Sequence, residues 1–255
     1  MLLTSIVILT FNNFLKTKTC IESINKYTNQ TFELIVVDNG STDETVNYLK
    51  QLPEITLICN KQNRGFAAGC NQGISVAKGT QILLLNNDTI VSHNWLENLS
   101  KALHSNSKVG LVGPMSNMTL PQQHYRANYS NEKSYHQFAS NFNVHDPKKW
   151  KSVAIISGFC LMFKRKVLKK IGLLDERFTI GNYEDVDYCY RALHSGFTLL
   201  VAGDTFVHHY GNTTFSNNNL DIVSISNENK IRFIKKWGID NPEELLNITF
   251  PIKEI

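Results

Sequence analysis

Apolar residues fall in short blocks, each followed by polar punctuation and then by a segment of helical period. Ser5–Phe11 (SIVILTF), Glu33–Asp38 (ELIVVD), Ile55–Asn60 and Thr80–Asn86 (TQILLLN) are near-continuous apolar runs of strand length, the pattern of strands buried on both faces. Between the first two, Phe14–Tyr27 sets Cys20, Ile24 and Tyr27 at i, i+4 and i+7, one face of a helix. After the turn Asn39-Gly40-Ser41, Ser41 or Thr42 offers a cap for a helix running through Leu49. Phe66–Ala77, closed by Lys78-Gly79, and Asn94–Leu103 read as helices, and Val109–Val112 as a further strand. Successive βα units predict an α/β fold, with a mostly parallel sheet flanked by helices. In such sheets ligands bind beyond the carboxyl ends of the strands, where Asp38, Asn60–Arg64 and Asn86–Asp88 lie.

The pattern changes after residue 114. Residues 115–152 are rich in Asn, Gln, Ser, His and Tyr and carry Pro121 and Pro147, which predicts long loops with little regular structure. Order returns over Val153–Phe163, followed by a short helix Lys164–Lys170 ended by Gly172. A helix Glu184–Ser195 ended by Gly196, strands Phe197–Val201 and Thr205–Tyr210, and a last helix Ile222–Trp237 complete the chain. With no internal repeat and no Gly/Ser or Pro tract, one unit over residues 1–255 is expected, divided near residue 114 into two functional halves.

Composition narrows the class. The 255 residues are 42% apolar and 19% charged, which excludes disorder, collagen and coiled coil as the dominant structure. Apolar runs such as Ile82–Leu85 are far short of the roughly 20 residues a membrane helix needs. Met1–Phe11 lacks a basic flank and a small-residue cleavage site, so it reads as a first strand rather than a signal peptide. The formal net charge of +4 suits an anionic ligand; without a long Lys/Arg run it does not point to nucleic acid. Cys20, Cys59, Cys70, Cys160 and Cys189 are odd in number, scattered and without a CxxC pair, which fits free thiols in a reducing compartment. After the first strand stands Thr10-Phe11-Asn12-Asn13. It is neither the GxGxxG of a dehydrogenase nor the basic Gly-rich loop of a nucleotidyltransferase.

Several residues carry candidate chemistry. Asp38 ends a strand, and an ionised carboxylate accepts hydrogen bonds; it suits the imide N–H of uracil or thymine, or N1–H of guanine, or else caps the following turn. In Asn63-Arg64-Gly65-Phe66, Gly65 permits close backbone approach and Arg64 suits a pyrophosphate, although an ordinary helix start has the same look. Asn86-Asn87-Asp88 ends a strand, and Asp88 suits a divalent cation bridging phosphates or a cap on the next helix. Tyr183-Glu184-Asp185-Val186-Asp187 starts a helix, where negative charge is favoured. Asp187 and Arg191, at i and i+4, suit an ion pair; Glu184 or Asp185 suits a general base. His208-His209 ends a strand, so only one of the two should face a site.

Together these residues resemble family-2 glycosyltransferases with the GT-A fold. Ser5–Asn12 (SIVILTFN), Val36–Asp43 (VVDNGSTD), Asn63–Phe66 (NRGF), Leu84–Thr89 (LLNNDT), Gly172–Phe178 (GLLDERF), Tyr183–Arg191 (YEDVDYCYR) and His208–Gly211 (HHYG) follow the family's order. The set looks most like a bacterial rhamnosyltransferase-like branch that builds cell-surface polysaccharide. The resemblance implies a Rossmann-like nucleotide-binding half, an acceptor half, and inverting transfer of a sugar from a UDP- or dTDP-sugar. The acceptor would be a hydroxyl of a glycan, a lipid-linked glycan or a protein. Donor contacts would fall to Thr10, Phe11, Asn12, Asp38, Asn63, Arg64, Gly65, Asn71, Asn86 and Asn87. Asp88, with His208, would hold Mn²⁺ or Mg²⁺, and Asp185 beside Glu184 would be the base. One departure stands out: Asn86 occupies a position where the family's metal motif often has an acid. The segment 115–152 matches nothing specific, as a variable acceptor loop would. The alternative is an inactive sugar-nucleotide or glycan-binding domain of the same fold, against which Asp88 and Asp185 argue. The glycosylation sequons at Asn39 and Asn87 lie inside the expected site, which favours a cytoplasmic location. Lys230, Arg232, Lys235 and Lys236 would give the last helix a basic face for peripheral membrane contact.

Overall fold

In the computed structural model, residues 2–211, 221–239 and 241–247 are described. Strands β1 (Thr4–Thr10), β2 (Phe32–Asp38), β3 (Ile55–Cys59) and β4 (Gln81–Asn86) alternate with helices α1 (Phe14–Tyr27), α2 (Thr45–Leu49) and α3 (Phe66–Val76). All four strands run parallel, in the order β3-β2-β1-β4. Their apolar runs are buried on both faces, with Ile6, Ile8, Leu34, Val36, Leu83 and Leu85 in one core layer and Val7, Ile35, Ile82 and Leu84 in the other. That two-sided burial is why the strands read as continuous rather than alternating runs.

The chain then adds strand β5 (Thr89–Ile90), helix α4 (Trp95–His104), β6 (Val109–Met115), α5 (Glu132–Phe142), β7 (Lys151–Val153), β8 (Cys160–Lys164), α6 (Arg165–Ile171), α7 (Glu184–His194), β9 (Thr198–Phe206), β10 (His208–His209) and α8 (Ile222–Trp237). The sheet continues from β4 as β8-β6-β9-β7, with β8 antiparallel to both neighbours and β7 antiparallel to β9. The result is the expected mostly parallel sheet with flanking helices. No helix of the described residues is long and apolar enough to cross a membrane.

Four expectations are corrected. Segment 115–152 is not mostly loop: it holds α5, started by a capping box in which the Asn131 side chain accepts from Ser134 N–H and the Ser134 hydroxyl accepts from Asn131 N–H. Its polar outer face hid the helix, because the anchoring contacts are few and long-range: the Tyr135 hydroxyl donates to Ile90 O at 2.6 Å, and Asn143 accepts from Phe206 N–H. The two strands expected at 197–210 are one strand, β9, followed by the short β10. Helix α2 begins only at Thr45, whose N–H is accepted by Asp43 Oδ1 at 3.0 Å. Ser41 and Thr42 instead tie this turn to the loop after β1: Ser41 Oγ accepts Asn12 N–H, and Thr42 N–H donates to Asn12 Oδ1. Finally, the four basic side chains of α8 do not share one outer face: Lys236 lies inward between Asp175 and Asp187, whereas Lys230 and Arg232 form exposed pairs with Glu243 and Glu228.

Candidate active site

The polar clusters of β1, β2 and β4 meet at the carboxyl edge of the sheet because parallel strands end together there. A cavity of about 340 Å³ opens at this edge, lined on one side by Phe11, Asn39, Asn63, Asn86, Asn87 and Asp88. Ser157, Gly158, Phe159, Ile180, Asn182, Glu184, Asp185 and His209 complete it, with Met118–Leu120 at the rim. Residues more than 170 positions apart, such as Phe11 and Asp185, thus line one cavity.

On the β1–β2 side, the Asp38 carboxylate is 1% exposed. Its Oδ2 accepts the N–H groups of Gly40 at 3.1 Å and Ser41 at 3.0 Å, while Oδ1 has no partner among the described residues. The turn-capping reading of Asp38 is seen directly in these two bonds; the side chain does not line the cavity, and its Oδ1 is a buried acceptor. Asn39, buried beside it, is the hub of this side. Its Nδ2 donates to Asn63 Oδ1 and Gly65 O, and its Oδ1 accepts from Asn60 Nδ2 and Arg64 N–H. Gly65 is required here twice over: its φ is +84°, and a Cβ would lie 2.9 Å from Ile180 N.

Other candidates fall elsewhere. Thr10 is 1% exposed and joins Thr17 and Asn87 in a hydroxyl–amide cluster beneath the wall. Asn12 serves the β1 loop. Arg64 is exposed and does not line the cavity. Asn71 is a strap rather than a ligand: its side chain accepts Leu174 N–H and donates to Leu174 O and Glu176, tying α3 to the segment before α7.

The histidine that reaches Asp88 is His209, not His208. Strand β10 pairs antiparallel with β5, setting His209 opposite Thr89, and the alternation of the strand turns His208 to the other side. There His208 Nδ1 meets the Tyr129 hydroxyl at 2.6 Å, and burial, reinforced by His209, pushes its pKa down to about 4. His209 Nε2 lies 3.2 Å from Asp88 Oδ1, while its Nδ1 meets Met118 O at 2.8 Å. A carbonyl only accepts, so Nδ1 carries a proton. Nε2 faces the Asp88 carboxylate and also lies 3.4 Å from Asn86 Nδ2, which can donate to its lone pair; the His209–Asp88 pair is one that a cation could bridge. A histidine that donates its second N–H to a carbonyl is the usual form of a metal ligand. The ring is also fixed by stacking on Phe159, 4.8 Å between centroids.

Asp185 and Glu184 start α7. Asp185 Oδ2 accepts Gly158 N–H at 2.7 Å and Oδ1 accepts Val186 N–H at 2.8 Å. Burial raises the pKa of Asp185 despite these bonds. Glu184 is 5% exposed, and its Oε2 has no partner among the described residues. Burial first, and then the charge of Asp185, push its pKa well above the ordinary carboxyl value. Burial thus raises both neighbouring carboxyls. Asp187 is structural, as its i, i+4 spacing predicts: Oδ2 pairs with Arg191 Nε at 2.8 Å, and Oδ1 accepts from Lys236 and from Trp237 Nε1.

Before α7 the backbone is strained. Ile180, Asn182 and Tyr183 have φ of +61°, +72° and +73°. Such non-Gly residues cost about 1–3 kcal/mol each and persist where the surroundings over-determine them. Gly158, His209, Asn39 and the 180–183 turn had no strong sequence signal. The Gly65–Phe66 pair and the acidic run at 184–187 pointed to their neighbourhood only.

The family model for glycosyl transferase family 2 matches residues 5–172. The chain belongs to this family. It is similar to glycosyltransferase GlyG of Streptococcus pneumoniae serotype 4, at 32% identity over 44% of this chain and 38% of that protein. It is also similar to the dTDP-rhamnosyl transferase RfbF of Shigella flexneri, at 27% identity over 80% of this chain and 67% of that one. The matches to the first three curated relatives span only 38%, 25% and 31% of those proteins. Among solved structures, GalNAc-T7 with UDP, GalNAc and Mn²⁺ superposes with a TM-score of 0.65 at 16% identity, covering 82% of this chain and 44% of that one. The mannosyltransferase PcManGT from Pyrobaculum calidifontis, in complex with GDP-Man and Mn²⁺, gives 0.61 at 20% identity over 81% and 56%. The family-2 glycosyltransferase thus has the GT-A fold of these neighbours.

Proposed function

We propose that this glycosyltransferase moves a sugar from a UDP- or dTDP-sugar to an acceptor hydroxyl with inversion. The observation that carries the reading is the shared cavity, whose walls bring the Asn86–Asp88 strand end and Asn39 together with Asp185 and Glu184. Residues 1–114 hold the donor, with Asp38 Oδ1 accepting an imide N–H of the base. Residues 115–211 supply the base and the acceptor surface.

In the step proposed, Asp185 takes the proton of the acceptor hydroxyl. The new C–O bond forms at the anomeric carbon as the bond to the diphosphate oxygen breaks, and its electron pair leaves with the nucleoside diphosphate. Attack from the face opposite the leaving group inverts the centre. The raised pKa of Asp185 suits a base, because it strengthens proton affinity. Glu184, when protonated, donates a hydrogen bond to a sugar hydroxyl and accepts one in return.

Asp88 Oδ1 and His209 Nε2 fit a divalent cation, Mn²⁺ or Mg²⁺. Among the described residues no third His, Cys, Asp or Glu joins them, so donor phosphate oxygens would complete the shell, as is usual for Mg²⁺. When bound, the ion would offset charge on the leaving diphosphate. The similarity to a dTDP-rhamnosyl transferase favours dTDP-rhamnose as the donor and a glycan or lipid-linked glycan as the acceptor. The burial of Asn39 and Asn87 at 1% and 4% favours a cytoplasmic site, since a glycan could not be carried there.

Thermal-shift screening against UDP-, dTDP- and GDP-sugars, with and without Mn²⁺, tests the reading. A stabilisation by one UDP- or dTDP-sugar that grows with Mn²⁺ is expected. Preference for GDP-sugars would overturn the base assignment, and no response to any of them would overturn the donor reading.

A further inference from the structure

The turn between Thr179 and Tyr183 is held by one buried side chain from the last helix. Asn229 of α8 is fully buried, and its Nδ2 donates to Thr179 O at 3.0 Å, Gly181 O at 2.7 Å and Asn182 O at 3.1 Å. Its Oδ1 accepts from Arg232 Nη1 at 2.6 Å. The guanidinium can only donate, so it fixes which end of the amide faces the turn. The two N–H groups of one amide are thus shared among three carbonyls of a left-handed turn, whereas the turn's other side faces the cavity through Ile180, Gly181 and Asn182. The same turn touches the donor side, where Phe66 N–H donates to Ile180 O at 2.8 Å. It then runs directly into Glu184 and Asp185.

We infer that Asn229 is a positioning residue: by clamping the Thr179–Tyr183 turn it sets the distance between the donor wall at Gly65–Phe66 and the base at the start of α7. This inference rests on the proposed roles of Asp185 and the donor wall. Carbonyls turned inward need a donor once buried, and a backbone in the left-handed region relaxes when that donor is lost. A leucine of similar volume would leave Gly181 O and Asn182 O facing a methyl group, while Thr179 O keeps the N–H of Gly181 at 2.7 Å. The strain would then be released by rotation of the turn, carrying Asp185 with it. Nucleotide contacts around Asp38 and Asn39 do not pass through this turn and should be spared.

The test compares wild type with Asn229→Leu and with Arg232→Gln. The second removes the guanidinium that orients the amide, together with its exposed contacts to Glu228 and Thr179 Oγ1, and it lies on a half-exposed side chain, so folding is not in question. Hydrogen exchange of peptides spanning 178–187 should speed up by about tenfold or more in Asn229→Leu, and less in Arg232→Gln, with peptides of β1 and β2 unchanged. The turnover number for the sugar-nucleotide found by the screen should fall by about 10–100-fold in Asn229→Leu. Its donor KM and the affinities for UDP and dTDP should stay within about threefold. Unchanged exchange in 178–187 overturns the clamp whatever the activity. Faster exchange with unchanged turnover overturns the positioning role. If wild type turns over no sugar-nucleotide, the proposed function fails instead, and the exchange data alone decide whether Asn229 holds the turn.

Discussion

The two sides of the cavity are built by opposite means. The donor wall comes from short loops after parallel strands, and its key groups are fixed by neighbours within one βα unit or the next. Asp38 is held by Gly40 and Ser41, and Asn39 by Asn60, Asn63 and Gly65. The base wall is assembled from afar. Asp185 is held by Gly158, the turn before it by Asn229, and the helix behind it by Lys236 and Trp237. It also stores strain at Ile180, Asn182 and Tyr183. Local construction makes one wall robust to change elsewhere; the other depends on contacts that cross the molecule.

The sharpest way to separate the walls is to remove the proposed base. Asp185→Asn should reduce transfer by about 10²–10⁴-fold, while UDP and dTDP bind as to wild type by calorimetry. Near-normal transfer would remove Asp185 from its role. The long-range support should show as lost stability instead. Asp187→Asn strips the carboxylate shared by Arg191, Lys236 and Trp237, and breaking such a buried pair costs about 3–5 kcal/mol in denaturant titration. A loss under about 1 kcal/mol, the value of a surface pair, would show that the base wall does not lean on this network.

On the donor wall, Asp38→Ala should weaken nucleotide binding by about 1.5–3 kcal/mol, the worth of a charged hydrogen bond, with little effect on turnover at saturating donor. Equal binding of UDP by variant and wild type would show that Oδ1 does not meet the base.

The smallest effect concerns pH. Glu184 has a folded-state pKa raised by burial and by Asp185. Between its unfolded value and that raised value the folded state therefore binds more protons than the unfolded one. Stability then falls as pH rises through this window. Glu184→Gln should flatten that fall, so that its melting temperature gains on wild type from pH 5 to pH 8. A constant difference would mean that Glu184 titrates normally. The raised pKa of Asp185 likewise places the acidic limb of the pH–rate profile above the ordinary range for an aspartate.

Much of this was legible in the chain. The strands of the donor half are two-sided apolar runs, so period and length located them, and Asp38 and Asp88 stood at their ends. The i, i+4 pair Asp187–Arg191 was read correctly for the same reason: it is a helix-local interaction. Helix α5 was missed because its anchors, Tyr135 to Ile90 and Asn143 to Phe206, have no local period. His208 was preferred over His209 because alternation says that only one faces the site, but not which. Pairing with β5 decided that. Asn71 looked like a ligand on its helix and proved to be a strap to Leu174, 103 residues away.

The sequence by itself determined the βα order, the family and the carboxylates at the strand and helix ends, because each depends on periods of two to four residues or on motif order. Only the tertiary structure decided which atoms meet. It turned His209 to Asp88, left Asp38 Oδ1 and Glu184 Oε2 without partners among the described residues, and closed three carbonyls on Asn229. The reason is physical: burial and hydrogen-bond satisfaction are properties of the space around a group, and that space is filled by residues far along the chain.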